Sequence, residues 1–179
     1  MAKRYLSVDE HRLWVIFHQT HDLMGKYEDK VLEDAHLTKE QHLILWLIEF
    51  MTDGNDNPII LSDLASSLFR NLNSVSTIVN RMEKNGLIKK YRDLPDQRAV
   101  RLVVTPKGKE ALSKAMGPNS LLIKEVFSVF SADEIQTLIM LIKKLREQIY
   151  TESGLEKVRM DPEMSDRKRI TKFLKKRTF

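Results

Sequence analysis

Asn73, Ser74, Ser76, Thr77, Asn80 and Arg81 place six hydrogen-bonding side chains in a short run of sequence, with apolar residues between them. Five of the six are short and uncharged. Such groups suit one chemistry above others: matching donors and acceptors fixed on another surface, as base edges and phosphates are. Ser, Thr and Asn are mediocre helix formers. A face that only needed solvation would be better served by Lys and Glu, so the plain alternative, a solvated helix face, fits the composition less well.

These residues need a helix to align them. Leu72 to Asn85 is helix-sized and is stopped by Gly86. At about 100° per residue, Val79 and Met82 fall within roughly 40° of Val75, and Ile78 lies about 60° away. The six polar residues share the opposite side. A partner helix precedes them: Leu61, Leu64, Ala65 and Leu68 follow i, i+3, i+4, i+7, with Ser62 or Asp63 expected to cap its start. The link Phe69-Arg70-Asn71 is brief, as in a helix-turn-helix. After Gly86 the period changes. Residues 88–92 and 100–104 lean towards alternation and flank a loop containing Pro95, which reads as two strands and a wing. Arg98 at its tip could enter a narrow minor groove. Asp96 could hold that guanidinium, or the two could form an ordinary turn salt bridge. The expected fold is mainly α with a small β wing, a winged helix-turn-helix core flanked by N- and C-terminal helices. The expected DNA-contacting set is Ser62, Arg70, Asn73, Ser74, Ser76, Thr77, Asn80, Arg81, Asp96 and Arg98.

Residues 87–108 resemble the signature of MarR-type (multiple antibiotic resistance regulator) transcription factors. Asp96-Gln-Arg98 matches that family's Asp-x-Arg wing, and Val104-Thr-Pro-Lys-Gly108 its Leu-Thr-x-x-Gly, with Val in place of Leu. Met82-Glu-Lys-Asn-Gly-Leu-Ile88 is similar to its Leu-Glu-x-x-Gly-Leu-Val. The resemblance covers roughly residues 8–150. It implies a homodimer built by the first and last helices, double-stranded DNA as partner, and a small aromatic effector in the crevice between dimer helices and reading domain. Trp14, Phe17, Trp46 and Phe50 are the aromatics that could line such a crevice, or they could be plain core.

Charge agrees with a polyanion partner. Residues 69–109 hold ten Lys or Arg against three acids, and residues 152–179 nine against five, whereas the rest of the chain is net acidic. There is no cysteine, which excludes disulfides and thiol-based peroxide sensing. There is no apolar run of 18 residues and no signal-like start, so a cytoplasmic protein without a membrane partner is expected. No phosphate-binding Gly loop, His-Glu-x-x-His or Gly-x-Ser-x-Gly is present, and an enzyme is not expected. His18 and His21 have a spacing that can share a metal. No His-x3-His or cysteine supports them, so neither metal nor cofactor is expected, and a metal-responsive regulator is kept as an alternative. A winged helix used for protein–protein contact is the other.

The remaining sequence reads as helices. Capping boxes at Ser7, Thr38 and Ser131 open helices over about 8–34, 39–51 and 132–150. The expected inward residues are Leu13, Phe17, Met24 and Val31 on the first, and Leu43, Trp46, Leu47 and Phe50 on the second. On the third they are Ile135, Leu138, Leu141, Ile142, Leu145 and Ile149. Thr105 caps a helix with Pro106 at its first position, and Gly117-Pro118 is expected to kink or interrupt it. Residues 59–61 could add a third strand. The expected units are dimerisation helices at 1–35 and 106–150, a winged helix-turn-helix at 36–105 and a basic extension at 151–179. That extension reads as a frayed appendage, a DNA-backbone clamp, or a helix docked on the partner subunit through Ile170, Phe173 and Leu174.

Overall fold

The computed structural model describes residues 6–52, 58–92, 99–155 and 167–175. In chain order the elements are α1 (Val8–Val31), α2 (Lys39–Thr52), α3 (Leu61–Ser67), α4 (Leu72–Lys84), β1 (Ile88–Arg92), β2 (Val100–Val104), α5 (Pro106–Phe127), α6 (Ala132–Ser153) and α7 (Arg167–Lys175). A 3-10 turn over Glu33–Ala35 joins α1 to α2.

The three capping boxes form as the sequence predicts. Ser7 and Glu10 exchange bonds at the start of α1, as do Ser131 and Glu134 on α6. At α2, Thr38 N–H donates to Gln41 Oε1 (3.1 Å) and Gln41 N–H to Thr38 Oγ1 (3.3 Å). Each box satisfies two amides that the helix itself leaves without acceptors.

The core gathers around α2. Ile44, Leu45, Leu47, Ile48, Phe50 and Met51 are buried there, against Leu64 and Ala65 of α3, Val75, Val79 and Met82 of α4, Ile88, Leu102 and Val104 of the hairpin, and Leu112, Ala115 and Met116 of α5. β1 and β2 pair antiparallel, Ile88 opposite Val104 and Lys90 opposite Leu102. The outer helices differ. On α1 only Gly25 is buried and on α6 no residue is, so Leu13, Trp14, Leu23, Leu141 and Ile149 stay exposed. Of the expected stripe on α6, Leu141, Ile142, Leu145 and Ile149 are therefore uncovered within one chain, and Ile135 and Leu138 are half-buried.

Five expectations change. α5 runs uninterrupted through Pro118. Gly117 has no Cβ to clash with the proline ring, and buried residues on both sides, Met116 and Leu122, hold the two halves in one line. Ser62 is not a cap. Leu102 N–H donates to Ile59 O (3.0 Å) and Ile60 bridges Arg101, so extended Ile60 becomes the N-cap residue and Ser62 falls inside the first turn. The third strand is thus one bridge. Leu43 is exposed, because the inward side of α2 is taken by Ile44, Leu47, Ile48 and Met51. The C-terminal extension, finally, forms α7, and Phe173 enters the core of its own chain with no exposed surface.

Candidate nucleic-acid interface

α4 is set by local chemistry at both ends. The Asn71 side chain accepts from Ser74 N–H (2.8 Å) as its N-cap. Gly86 leaves the helix at φ 73°, a conformation that costs a residue with a Cβ more. The turn before it closes with Arg70 N–H on Ala65 O (3.1 Å) and Phe69 N–H on Ser66 O (3.0 Å). That is a Schellman pattern, with Phe69 rather than Gly at the left-handed position, φ 51°. The exposed Phe69 ring lies 6.3 Å from Tyr150 and 5.9 Å from the Arg146 guanidinium of α6.

Val75, Val79 and Met82 are fully buried, so the opposite side of α4 must face outward. Asn73, Ser74, Thr77, Asn80 and Arg81 are exposed there and Ser76 is half-buried. Thr77 Oγ1 donates to Asn73 O (3.0 Å), which leaves its oxygen as an acceptor and its methyl free. Asn80 Oδ1 accepts from Lys90 Nζ (2.6 Å), which leaves its amide donors outward. Ser62 is exposed on the neighbouring α3, and Arg70 lies 3.8 Å from Glu40 at the start of α2. Asp96 and Arg98 lie outside the described residues.

Lys90 was not among the expected site residues. Its Nζ also meets Glu83 Oε2 (2.9 Å), and its backbone N–H donates to Glu83 Oε1 (3.0 Å). The Lys90 side chain, hydrogen-bonded to Glu83, holds that carboxyl below the usual carboxylate range. The pair ties the first wing strand to the flank of α4. The sequence did carry a signal: alternation from buried Ile88 turns Lys90 inward, towards the one acid on α4.

The base of the hairpin is tied to α5 as tightly. Thr105 Oγ1 accepts from Gly108 N–H (3.1 Å) as the α5 cap and donates to Gly86 O (2.6 Å), with Leu87 O at 3.1 Å. Gly108 lies so close to the Leu87 carbonyl that a Cβ there would sit 2.0 Å from its oxygen. The Thr-x-x-Gly spacing therefore has a mechanical reason: it lets helix and hairpin backbones touch.

The four aromatics suggested for an effector crevice do not converge. Trp46 and Phe50 stack at 4.9 Å and are covered by Phe173, whereas Trp14 and Phe17 are exposed on α1 beside His18. A separate cavity of about 480 Å3 is lined by Asp34, His36, Gln41, Asn85, Lys107 and Lys114 among others. Among the described residues no cluster of three metal-ligating side chains occurs, and His42 is buried with Nδ1 3.5 Å from Glu28. No helix among them is long and apolar enough to cross a membrane.

Residues 37–100, which hold α2 to the start of β2, match the profile of the MarR family. That segment, and the fold around it, are similar to a MarR-type winged helix. The chain is 34% identical over 87 residues to the uncharacterised HTH-type transcriptional regulator YkoM of Bacillus subtilis, an alignment taking in 49% of the chain and 56% of YkoM. It thus spans little more than half of that relative. The MarR-type fold extends further. The organohalide-sensing regulator RdhR in its 2,4-dichlorophenol-bound form superposes with TM-score 0.68 at 27% identity, over 83% of this chain and 88% of RdhR. A mutant MarR of E. coli complexed with operator DNA superposes with TM-score 0.69 at 20% identity, over 79% of this chain and 99% of its own.

Proposed function

We propose that the chain is a sequence-specific DNA-binding transcriptional regulator, acting as a homodimer on a pseudo-palindromic operator. The observation that carries this reading is the outward face of α4, with Asn73, Thr77, Asn80 and Arg81 set opposite three fully buried side chains. Laid in a major groove, Asn80 offers amide donors, Thr77 an acceptor and a methyl that suits thymine, and Arg81 a guanidinium. In this reading Ser62, Arg70, Ser74 and Ser76 make backbone contacts and Arg98 reads the neighbouring minor groove. The Lys90–Glu83 tie fixes the wing's angle to α4. The E. coli MarR–operator complex supports this use of the fold.

The uncovered apolar faces of α1 and α6 support the dimer, since such faces in water call for a partner. A two-fold dimer presents two copies of α4 to successive major grooves, with half-sites about 10 bp apart. Binding between promoter elements excludes polymerase, which makes repression the default and the cytoplasm the place of action. A small aromatic effector that prefers a head spacing unmatched to DNA would release it, by its differential affinity for the two states. The dichlorophenol-bound state of RdhR supports that part.

The test is fluorescence anisotropy with DNA from upstream of the chain's own gene, against scrambled DNA, across a salt series. Preferential binding at one dimer per site with a steep salt slope is expected. Equal, weak binding to that DNA and to a wider operator selection would overturn sequence reading and favour protein–protein contact instead.

A further inference from the structure

Two side chains accept a local cost at one and the same contact. Phe69 closes the turn between α3 and α4 at φ 51°, in the left-handed region where a Cβ is crowded and Gly is the usual occupant. Tyr150, near the C-terminal end of α6, is half-buried, and its hydroxyl is buried with no hydrogen-bond partner among the described residues. The two rings lie 6.3 Å apart at 45°, and the Arg146 guanidinium, one turn before Tyr150, stands 5.9 Å from the centre of the Phe69 ring. A glycine in the turn would relax the backbone but would give up this contact. Strain held in that way points to a use for the side chain.

The contact lies where the reading unit meets an outer helix. α5 roots the outer helices in the core through Leu112, Ala115 and Met116. A root of that kind still leaves the reading unit an axis to rotate about, and a contact away from the root removes the rotation. Phe69 supplies one, in the turn directly before α4. The same part of α6 carries the uncovered residues Leu141, Ile142, Leu145 and Ile149. At about 100° per residue, Arg146 and Tyr150 lie roughly 100° round the helix from the middle of that stripe. One flank of α6 therefore meets the helix-turn-helix while its apolar stripe stays open for a second copy of the chain.

We propose that Phe69 is the positioning residue that fixes the reading unit against α6, and so sets the half-site spacing that the dimer accepts. This rests on the homodimer reading above and gives the task to a residue outside the DNA-contacting set. With the ring in place, the two copies of α4 keep one separation, and an operator with matching half-sites engages both at once. Without it each head still reads its half-site, but the separation loosens and the advantage of matched spacing falls.

The test compares the full-length chain with Phe69→Gly, Phe69→Trp and Tyr150→Ala by fluorescence anisotropy. The DNAs are the operator, a single half-site, and an operator whose half-sites are moved apart by about two base pairs. Phe69→Gly is expected to bind the operator about tenfold more weakly, a size usual for coupling between sites. It should bind the half-site as the wild type does and discriminate less between the two spacings, with its melting temperature at equal concentration maintained. Phe69→Trp keeps a ring and should restore the spacing preference. Tyr150→Ala leaves the turn untouched and should lose that preference as Phe69→Gly does. An unchanged spacing preference in Phe69→Gly overturns the proposal. Equal weakening on half-site and operator overturns it too, and puts Phe69 on the DNA itself. Should Phe69→Gly melt early, Tyr150→Ala decides alone, and a wild-type spacing preference in it overturns the proposal. Failure of the dimer reading shows in the wild type instead: sedimentation as a monomer, or no gain of operator over half-site, removes the spacing and the task of Phe69 with it.

Discussion

Gly108→Ala should be strongly destabilising. A Cβ at this position would stand 2.0 Å from the Leu87 carbonyl oxygen and 2.8 Å from Val104 Cγ1, where ordinary contact begins at 3.4 Å. α5 and the hairpin base must then part by roughly 1.4 Å, because a backbone carbonyl cannot swing aside as a side chain does. That movement strains the bonds from Thr105 N–H (3.0 Å) and Thr105 Oγ1 (3.1 Å) to Leu87 O and from Thr105 Oγ1 to Gly86 O (2.6 Å). Overpacking typically costs about 1–3 kcal/mol, and each lost hydrogen bond about 0.5–1.5 kcal/mol. The alanine returns about 1 kcal/mol of helix propensity. The net loss is on the order of 2–4 kcal/mol, a fall in Tm of about 5–15 °C for a chain of this size. Gly25→Ala is the matched control. It too lies within a helix, but the atom it would meet is Lys39 Nζ at 2.6 Å, the free end of a flexible side chain. It should gain about 0.5–1 kcal/mol. The assay is thermal melting by circular dichroism at one fixed protein concentration, since any dimer makes Tm concentration-dependent. Equal changes in the two variants would refute the reasoning, because propensity alone, without the carbonyl contact, would then account for both.

Other outcomes can be checked independently. Thr105→Val removes the α5 cap and the bonds to the hairpin base, and should lower stability by about 1–2 kcal/mol in urea titrations, with an unaltered m-value. Glu83 is held below the usual carboxylate range when folded, so its pairing stabilises above the unfolded carboxylate value, near 4.3, and that stability is lost as pH falls through the folded value. Both partners are about a third exposed, so screening limits the effect to a few tenths of a kcal/mol, and Glu83→Gln should differ from wild type at pH 7 and converge with it near pH 3. A constant gap across that range would sink the assignment. Thr77→Ala should change which bases an operator selection prefers while leaving the salt slope intact; a uniform loss on all DNAs would instead place Thr77 on phosphate.

Much of the fold was written locally. The boxes at Ser7, Thr38 and Ser131, the Thr105-Pro106 start and the Gly86 stop each join residues three or four apart, so the chain announces them without needing its tertiary neighbours. The stripe of Val75, Val79 and Met82 likewise sets which side of α4 faces out, because one helical period decides it. The alternation at Ile88 and Leu102 placed the hairpin in the same way.

What the sequence left open depended on groups far apart in it. The Ile59–Leu102 bond decided where α3 begins and took the cap from Ser62. Buried contacts on both flanks carried α5 through Pro118. Lys90 could be seen as inward, but only the hairpin's angle to α4 brought it to both Glu83 and Asn80. The sequence favoured plain core over a crevice for Trp46 and Phe50, but only the folded chain shows that Phe173, from its far end, covers them. Local periodicity fixes which face of an element is apolar; which distant surface fills that face is settled only when the packed chain finds the arrangement that excludes most water.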